Sequence, residues 1–164
     1  MSTNKTLIAY ETKGVVTEES ARKIADILRS KYHLEVDLVD LKEQKTQALK
    51  QYRNIVIGSG VRAGRVYGKA KKFLENDFSG KQVAFFVSSS MAGTPGSHDN
   101  AKTRFVDHTL AKYPNVNVVS TEAFGGRIRY LRKTMLDNTD LAKVEVWAEE
   151  LGKKFTEKTK SHQS

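Results

Sequence analysis

The sequence predicts a three-layer α/β domain: a doubly wound, five-stranded parallel sheet in the order 2-1-3-4-5, with helices on both faces. Three observations predict it. Strand-length apolar runs alternate five times with helix-period segments along the 164 residues. The runs Ile55-Val56-Ile57 and Val83-Ala84-Phe85-Phe86-Val87 are continuously apolar, as parallel strands buried on both faces should be. The loops that carry glycines, hydroxyls and arginines all follow the carboxyl ends of strands, where such sheets bind ligands. Right-handed crossovers leave few other strand orders.

The first strand is Thr6 to Tyr10, too short for a helix. It breaks into Glu11-Thr12-Lys13-Gly14-Val15-Val16-Thr17, after which Ala21, Ile24, Ala25, Leu28 and Tyr32 recur on one helical face. Thr17 is the expected N-cap, with Glu18 and Glu19 in the first turn. Leu34 to Val39 alternates apolar and polar, which predicts an edge strand. A short helix is expected at Lys45 to Lys50, then a central strand at Asn54 to Gly58. The loop Gly58 to Arg65 leads to a helix over about Val66 to Asn76. Lys81 to Val87 is the next central strand, followed by the small-residue loop Ser88 to Ser97 and a helix over Asp99 to Lys112. Asn117 to Ser120 is the fifth strand; the loop Thr121 to Ile128, a basic segment at Arg129 to Met135 and a final amphipathic helix from Asp140 to Phe155 follow. Leu141, Val144, Trp147, Ala148 and Leu151 form its apolar stripe. This makes residues 1–155 one domain and 156–164 a polar tail.

Composition narrows the function classes. With 38% hydrophobic and 29% charged residues, the chain is a globular protein with a real core. Without cysteine it has no disulfide, thiolate metal site or cysteine nucleophile. No apolar run approaches the roughly 20 residues that span a bilayer, and no signal-peptide pattern precedes the first strand, so a cytoplasmic location is expected. A formal net charge of +9 favours anionic partners. No nucleic-acid motif with interleaved aromatics accompanies it.

The loop after the first strand offers helix N-terminal N–H groups, the hydroxyls of Thr12 and Thr17 and the ammonium of Lys13, a set suited to a phosphate. A plain βα turn would read the same way. Three other sites fail on residues. The third strand ends Gly58-Ser59-Gly60 and offers no phospho-acceptor aspartate. The one G-x-G is there too, not after the first strand as a dinucleotide fold requires. Gly68-Lys69 is followed by Ala70, and Ala63 stands where a P-loop needs its first glycine.

Tyr10-Glu11-Thr12-Lys13-Gly14-Val15-Val16-Thr17 resembles the phosphate loop of flavodoxins, and Ile55 to Gly64 resembles their second loop, which borders the flavin ring. The closest likeness is to the flavodoxin-domain branch that includes menaquinone-dependent protoporphyrinogen dehydrogenase. Ala123-Phe124-Gly125-Gly126-Arg127-Ile128 is similar to its last loop, so the likeness covers nearly the whole chain. It implies a flavodoxin-like fold and a noncovalent FMN. The phosphate would lie on Thr12, Lys13, Gly14 and Thr17 with the backbone of Val15 and Val16 between them, and Glu11 would adjoin the cofactor. The isoalloxazine would lie between Ser59, Gly60, Val61 and Arg62 on one side and Ser89, Ser90, Met91, Ala92 and Gly93 on the other. The family's loop glycine usually stands where this chain has Val15, and neither ring loop has an aromatic before Tyr67.

Charge bears on which flavin function is expected. Arg62, Arg65, Arg127 and Arg129 near the flavin would stabilise its reduced anion and raise its potential above that of acidic carriers. They would also suit a substrate with carboxylates. Alternatively, they pair with Glu11, Glu122 and Asp99. The expected function is thus electron transfer or an oxidoreductase activity, with a redox protein, an anionic small molecule or a quinone as partner. The rival is a flavin-free module that holds an acidic partner or nucleic acid. Arg129, Arg132 and Lys133 would serve peripheral membrane contact, and the chain is expected to be a monomer or homodimer. His33 and His108 read as surface or packing residues. His98, beside the third loop, reads as a plain loop histidine or a proton-transfer group. Ser88-Ser89-Ser90 lacks a nucleophile elbow, and no His, Asp or Glu cluster has metal-ligand spacing.

Overall fold

The fold is described from a computed structural model covering residues 4–43, 48–130, 133–137 and 139–161. Strand β1 (Lys5–Glu11) runs parallel to β2 (Glu35–Asp40) on one side and to β3 (Asn54–Arg62) on the other. Strand β3 pairs with β5 (Gln82–Ser88), and β5 with β6 (Val118–Phe124), all in parallel. Taken in chain order, the five parallel strands follow 2-1-3-4-5. The partial burial of β2, in which only Val36 and Val39 are buried, matches its edge position, whereas every residue of β5 is buried.

Successive side chains of a strand point to opposite faces, so one apolar run feeds two cores. On one face Ile8, Val56, Ala84 and Phe86 meet Ala21, Ile24, Ala25 and Leu28 of α1 (Val16–Tyr32) and Val144, Trp147 and Leu151 of a C-terminal helix. On the other face Leu7, Ile55, Ile57, Phe85 and Val87 meet Ala70 and Phe73 of α2 (Gly68–Phe73), together with Phe105 and Val106. These are the three layers the sequence predicts.

Several boundaries differ from the expectation, each for a local reason. Helix α1 starts one residue before Thr17; Val15 is its N-cap and makes no side-chain cap bond. Thr17 is instead 1% exposed in the first turn. Strand β3 continues through Gly58-Ser59-Gly60 and folds back as β4 (Arg65–Val66). Ala63 and Gly64 close this two-residue hairpin with positive φ of 52° and 75°, the backbone that matches strand twist. The hairpin delays α2, which is shorter than the expected Val66 to Asn76.

The loop after β5 contains a one-turn helix, α3 (Ser90–Gly93), then α4 (His98–Ala101), a π-helical stretch (Lys102–Asp107) and α5 (His108–Leu110). Strand β6 is longer than the apolar cue Asn117 to Ser120, because Thr121 and Glu122 continue it with polar side chains. A hairpin of β7 (Arg127–Tyr130) and β8 (Lys133–Asp137) follows, starting inside the expected loop and running past the expected basic segment. Helix α6 runs Leu141–Ser161, past Phe155. Of the short helix expected at Lys45 to Lys50, residues 44–47 lie outside the described residues, and a 3-10 turn occupies Leu49–Gln51.

Candidate functional site

The carboxyl ends of β1, β3 and β5 open into one cleft of about 850 Å³, within the range usual for small-molecule sites. Its first wall is the loop Thr12 to Thr17. Thr12 Oγ1 donates to the Gly14 carbonyl (3.0 Å) and accepts from the Gly14 N–H (3.2 Å), which fixes the turn. The bond from Glu19 N–H to the Val15 carbonyl (2.9 Å) opens the α1 ladder. The N–H groups of Val16, Thr17 and Glu18 therefore have no acceptor within the helix and carry the positive end of its dipole.

The second wall is the β3–β4 hairpin. Ser59 Oγ donates to the Gly60 carbonyl (2.7 Å) and accepts from the Tyr67 N–H (3.1 Å), tying Tyr67 back to β3. A Cβ at Gly60 would come within 2.9 Å of the Tyr67 ring, so the glycine makes room for that aromatic. Lys13 Nζ lies 5.0 Å from the Tyr67 ring centroid. Burial pushes the Tyr67 phenol above its ordinary value; Arg62 opposes this and Glu11 adds to it. Glu11 itself is buried outside the cleft, where its carboxylate accepts from the N–H groups of Lys69 (2.8 Å) and Ala70 (3.0 Å) at the start of α2.

The third wall is Ser88 to Met91. Ser89 Oγ accepts from the Met91 N–H (3.2 Å) and caps α3. Gly126 closes against it: a Cβ there would lie 2.9 Å from Ser90 N. Ser88 is among the residues that line the cleft, and its Oγ is buried and makes no hydrogen bond. A buried unpartnered hydroxyl is costly, and one that lines a cavity is ready for a bound group.

The structure thus brings Thr12 to Thr17, Gly60 to Arg62 and Ser89 to Met91 to one cleft. It places Glu11, Ser59, Ala92 and Gly93 outside the lining: the first two hold α2 and Tyr67, and Ala92 packs in the core. Ala63, Gly64, Ser88 and Gly126 fall within the loops the sequence reading assigned to the site without being singled out, and Tyr67, Arg104 and Phe105 lie outside them. Tyr67 could have been found as the first aromatic after the hairpin. Nothing in the sequence signals Arg104, because a π-helical stretch sets its direction.

Lys13, Arg62 and Arg104 line the cleft, and no Asp or Glu does among the described residues. None of the three forms a salt bridge among the described residues. The pairing of Arg62 and Arg65 with Glu11, Glu122 or Asp99 does not form. Glu11 caps α2, and His98 takes Glu122 (2.8 Å) and Asp99 (3.2 Å). His98 consequently faces a separate cavity against Phe124 and Trp147 rather than the main cleft. The side chains of Arg127, Arg129, Arg132 and Lys133 lie outside the described residues.

The two departures from the flavodoxin loops each have a local answer. Val15, in the glycine's usual place, has ordinary backbone angles (φ −118°, ψ −12°), and Tyr67 supplies an aromatic wall. Among the described residues no helix is long and apolar enough to cross a membrane, and no group of three His, Cys, Asp or Glu could hold a metal.

The sequence model of the flavodoxin domain matches residues 7–156. No curated protein sequence matches the chain. Among solved structures, rubredoxin oxygen:oxidoreductase from Desulfovibrio gigas aligns with a TM-score of 0.68 at 15% identity, over 96% of this chain and 37% of that one. This chain therefore spans little more than a third of that protein. Oxidised Flavodoxin 1 from Bacillus cereus aligns with a TM-score of 0.63 at 18% identity, over 93% of this chain and 97% of that one. Oxidised Flavodoxin 2 from the same organism gives 0.60 at 24% identity, over 94% and 99%. At these identities the likeness speaks for the fold.

Proposed function

The chain belongs to the flavodoxin-domain family, and from that premise we propose that it binds one FMN noncovalently in the cleft and serves electron transfer. The observation that carries this reading is the cleft itself: among the described residues it offers helix N-terminal N–H groups, three cations, no carboxylate and an unpartnered buried hydroxyl at Ser88. A bound flavin would supply the electron-accepting chemistry. The chain's own residues would bind and tune it. The N–H groups at the start of α1, Thr12 and Lys13 suit the phosphate. Tyr67, Val61 and Met91 suit an apolar ring, and Ser88 Oγ offers it a hydrogen bond.

Within that class the reading favours an oxidoreductase for an anionic substrate, of the kind the protoporphyrinogen dehydrogenase resemblance implies. The support is Arg62 and Arg104, both without ion-pair partners among the described residues. Fold alone does not choose a substrate. The test is an absorbance spectrum of the purified protein before and after FMN is added and the excess removed, followed by a redox titration. Retained flavin bands and a two-electron potential above that of acidic carriers are expected. A protein that stays colourless would overturn the cofactor, and a potential as low as theirs would overturn the tuning.

A further inference from the structure

We propose that the cavity between the outer strand β6 and the N-terminal half of α6 is a second binding site, which takes a small organic cation: an ammonium group on an aromatic body. This cavity shares no lining residue with the main cleft, so the proposal does not depend on the FMN reading.

The first argument is the wall. Strand β6 ends the sheet on one side, and α6 lays Lys143, Val146, Trp147 and Glu150 along it at one-face helical spacing. The two elements enclose about 450 Å³, a volume usual for small-molecule sites. The deep wall is aromatic: Phe124 and Trp147 are buried and meet edge to face, 5.6 Å between centroids. At the rim Val146 is 69% exposed, more than any other large apolar side chain among the described residues. An apolar body seated in the cavity would cover it.

The second argument is how two carboxylates are held. Glu122 Oε1 accepts from the Ala123 N–H (2.9 Å) and faces His98 Nε2 at 2.8 Å. Glu150 Oε2 accepts from the Ser120 hydroxyl (2.8 Å), which itself accepts from the Trp147 indole N–H (2.9 Å). Each carboxylate is thus anchored through one oxygen. Among the described residues Glu122 Oε2 and Glu150 Oε1 make no hydrogen bond, so each can accept from a ligand N–H.

The third argument is the sign of the charge. The chain carries a formal net charge of +9, yet this cavity is locally acidic. Glu122 and Glu150 line it, and Asp99 adjoins it, 3.2 Å from His98 Nδ1. Only Lys143 and His98 oppose them in the lining, so the carboxylates are in excess even with a protonated imidazole. A cation is favoured there and an anion repelled.

Trp147 is the only tryptophan of the chain, so its fluorescence reports this cavity. The test is a titration of the flavin-free full chain with phenethylamine at low ionic strength and neutral pH. Saturable change of the emission is expected. Phenethyl alcohol, which lacks the charge, and hydrocinnamate, which reverses it, should bind at least tenfold more weakly. Glu122→Gln and Glu150→Gln each keep an acceptor oxygen for the existing bonds and should weaken amine binding at least threefold. Val146→Lys, at a position too exposed to disturb folding, should do the same. Lys143→Gln should leave binding as tight or tighter, and Glu43→Gln, exposed and remote in sequence, should change it less than threefold. No saturable response, either comparison ligand within tenfold, a smaller loss in any of the three weakened variants, a threefold loss in Lys143→Gln, or a Glu43→Gln effect equal to theirs would each overturn the site. Flavin absorbance is a separate readout. Amine binding by a chain that takes up no FMN would overturn the cofactor and leave this cavity's assignment standing.

Discussion

Ser88→Ala should stabilise the flavin-free protein and lose most or all of that gain in the FMN-loaded form. In the flavin-free chain the Ser88 hydroxyl is buried without a partner, and such a group costs about 1–3 kcal/mol. Alanine removes it and leaves a methyl group of similar size in the same strand position. The flavin-free variant should therefore gain on the order of 1 kcal/mol of stability. If FMN takes the hydroxyl as a hydrogen-bond partner, the variant loses a bond worth about 0.5–1.5 kcal/mol, or roughly two- to tenfold in affinity. Stabilisation by ligand follows its affinity, so the FMN-dependent rise in stability should shrink correspondingly. Urea unfolding of both forms, with FMN affinity measured by flavin fluorescence, reads all of these quantities. A destabilised flavin-free variant together with unchanged FMN affinity would refute the reasoning, because Ser88 would then be a satisfied structural residue.

Other perturbations separate packing from chemistry. Gly58→Ala would drive a Cβ into the ring of Phe86, which is fully buried and held 5.7 Å from both Phe124 and Trp147, centroid to centroid. Overpacking of this kind costs about 1–3 kcal/mol, which a fall in the urea midpoint should show. Relief by Phe86→Leu in the double variant would identify the ring as the cause. Asp37 is held below the usual carboxylate range, chiefly because its oxygen accepts from the Tyr52 phenol at 2.6 Å; burial opposes this and Lys5 assists. A lowered folded value adds stability above the unfolded pKa of about 3.9 and loses it as pH falls through the folded value. Tyr52→Phe should therefore cost most near pH 7, and the gap should narrow in acid; an equal gap at both would contradict the linkage. Arg62→Gln should lower the flavin potential, since one exposed charge contributes on the order of 1 kcal/mol, roughly 20 mV for two electrons. An unchanged potential would place Arg62 outside the flavin's field.

Much of the fold was legible because β1, β3 and β5 are apolar runs that admit no other reading. The Thr12 to Thr17 wall of the cleft was legible too, since hydroxyls, a lysine and a helix start are all local features of one segment. The hairpin was not. Gly58-Ser59-Gly60 reads as the start of a loop, yet its glycines are there for Phe86 and Tyr67, partners 28 and 7 residues away. Capping misled for a related reason: Thr17 has the right chemistry for an N-cap, but α1 begins before it and buries it. Arg104 was out of reach because its place in the cleft depends on a π-helical turn, which no propensity encodes. Ser88 looked like one of three equivalent serines; only tertiary packing separates it from Ser89, which caps α3.

The most direct measurement is a paired titration of the flavin-free chain with FMN and with riboflavin, followed by flavin fluorescence. The account predicts one equivalent of FMN bound and riboflavin bound at least tenfold more weakly. On the proposed reading the phosphate alone would engage Thr12, Lys13 and the α1 N-terminus, and a single charge-assisted hydrogen bond there contributes about 1.5–3 kcal/mol. No uptake of either flavin, or equal affinity for both, would contradict it.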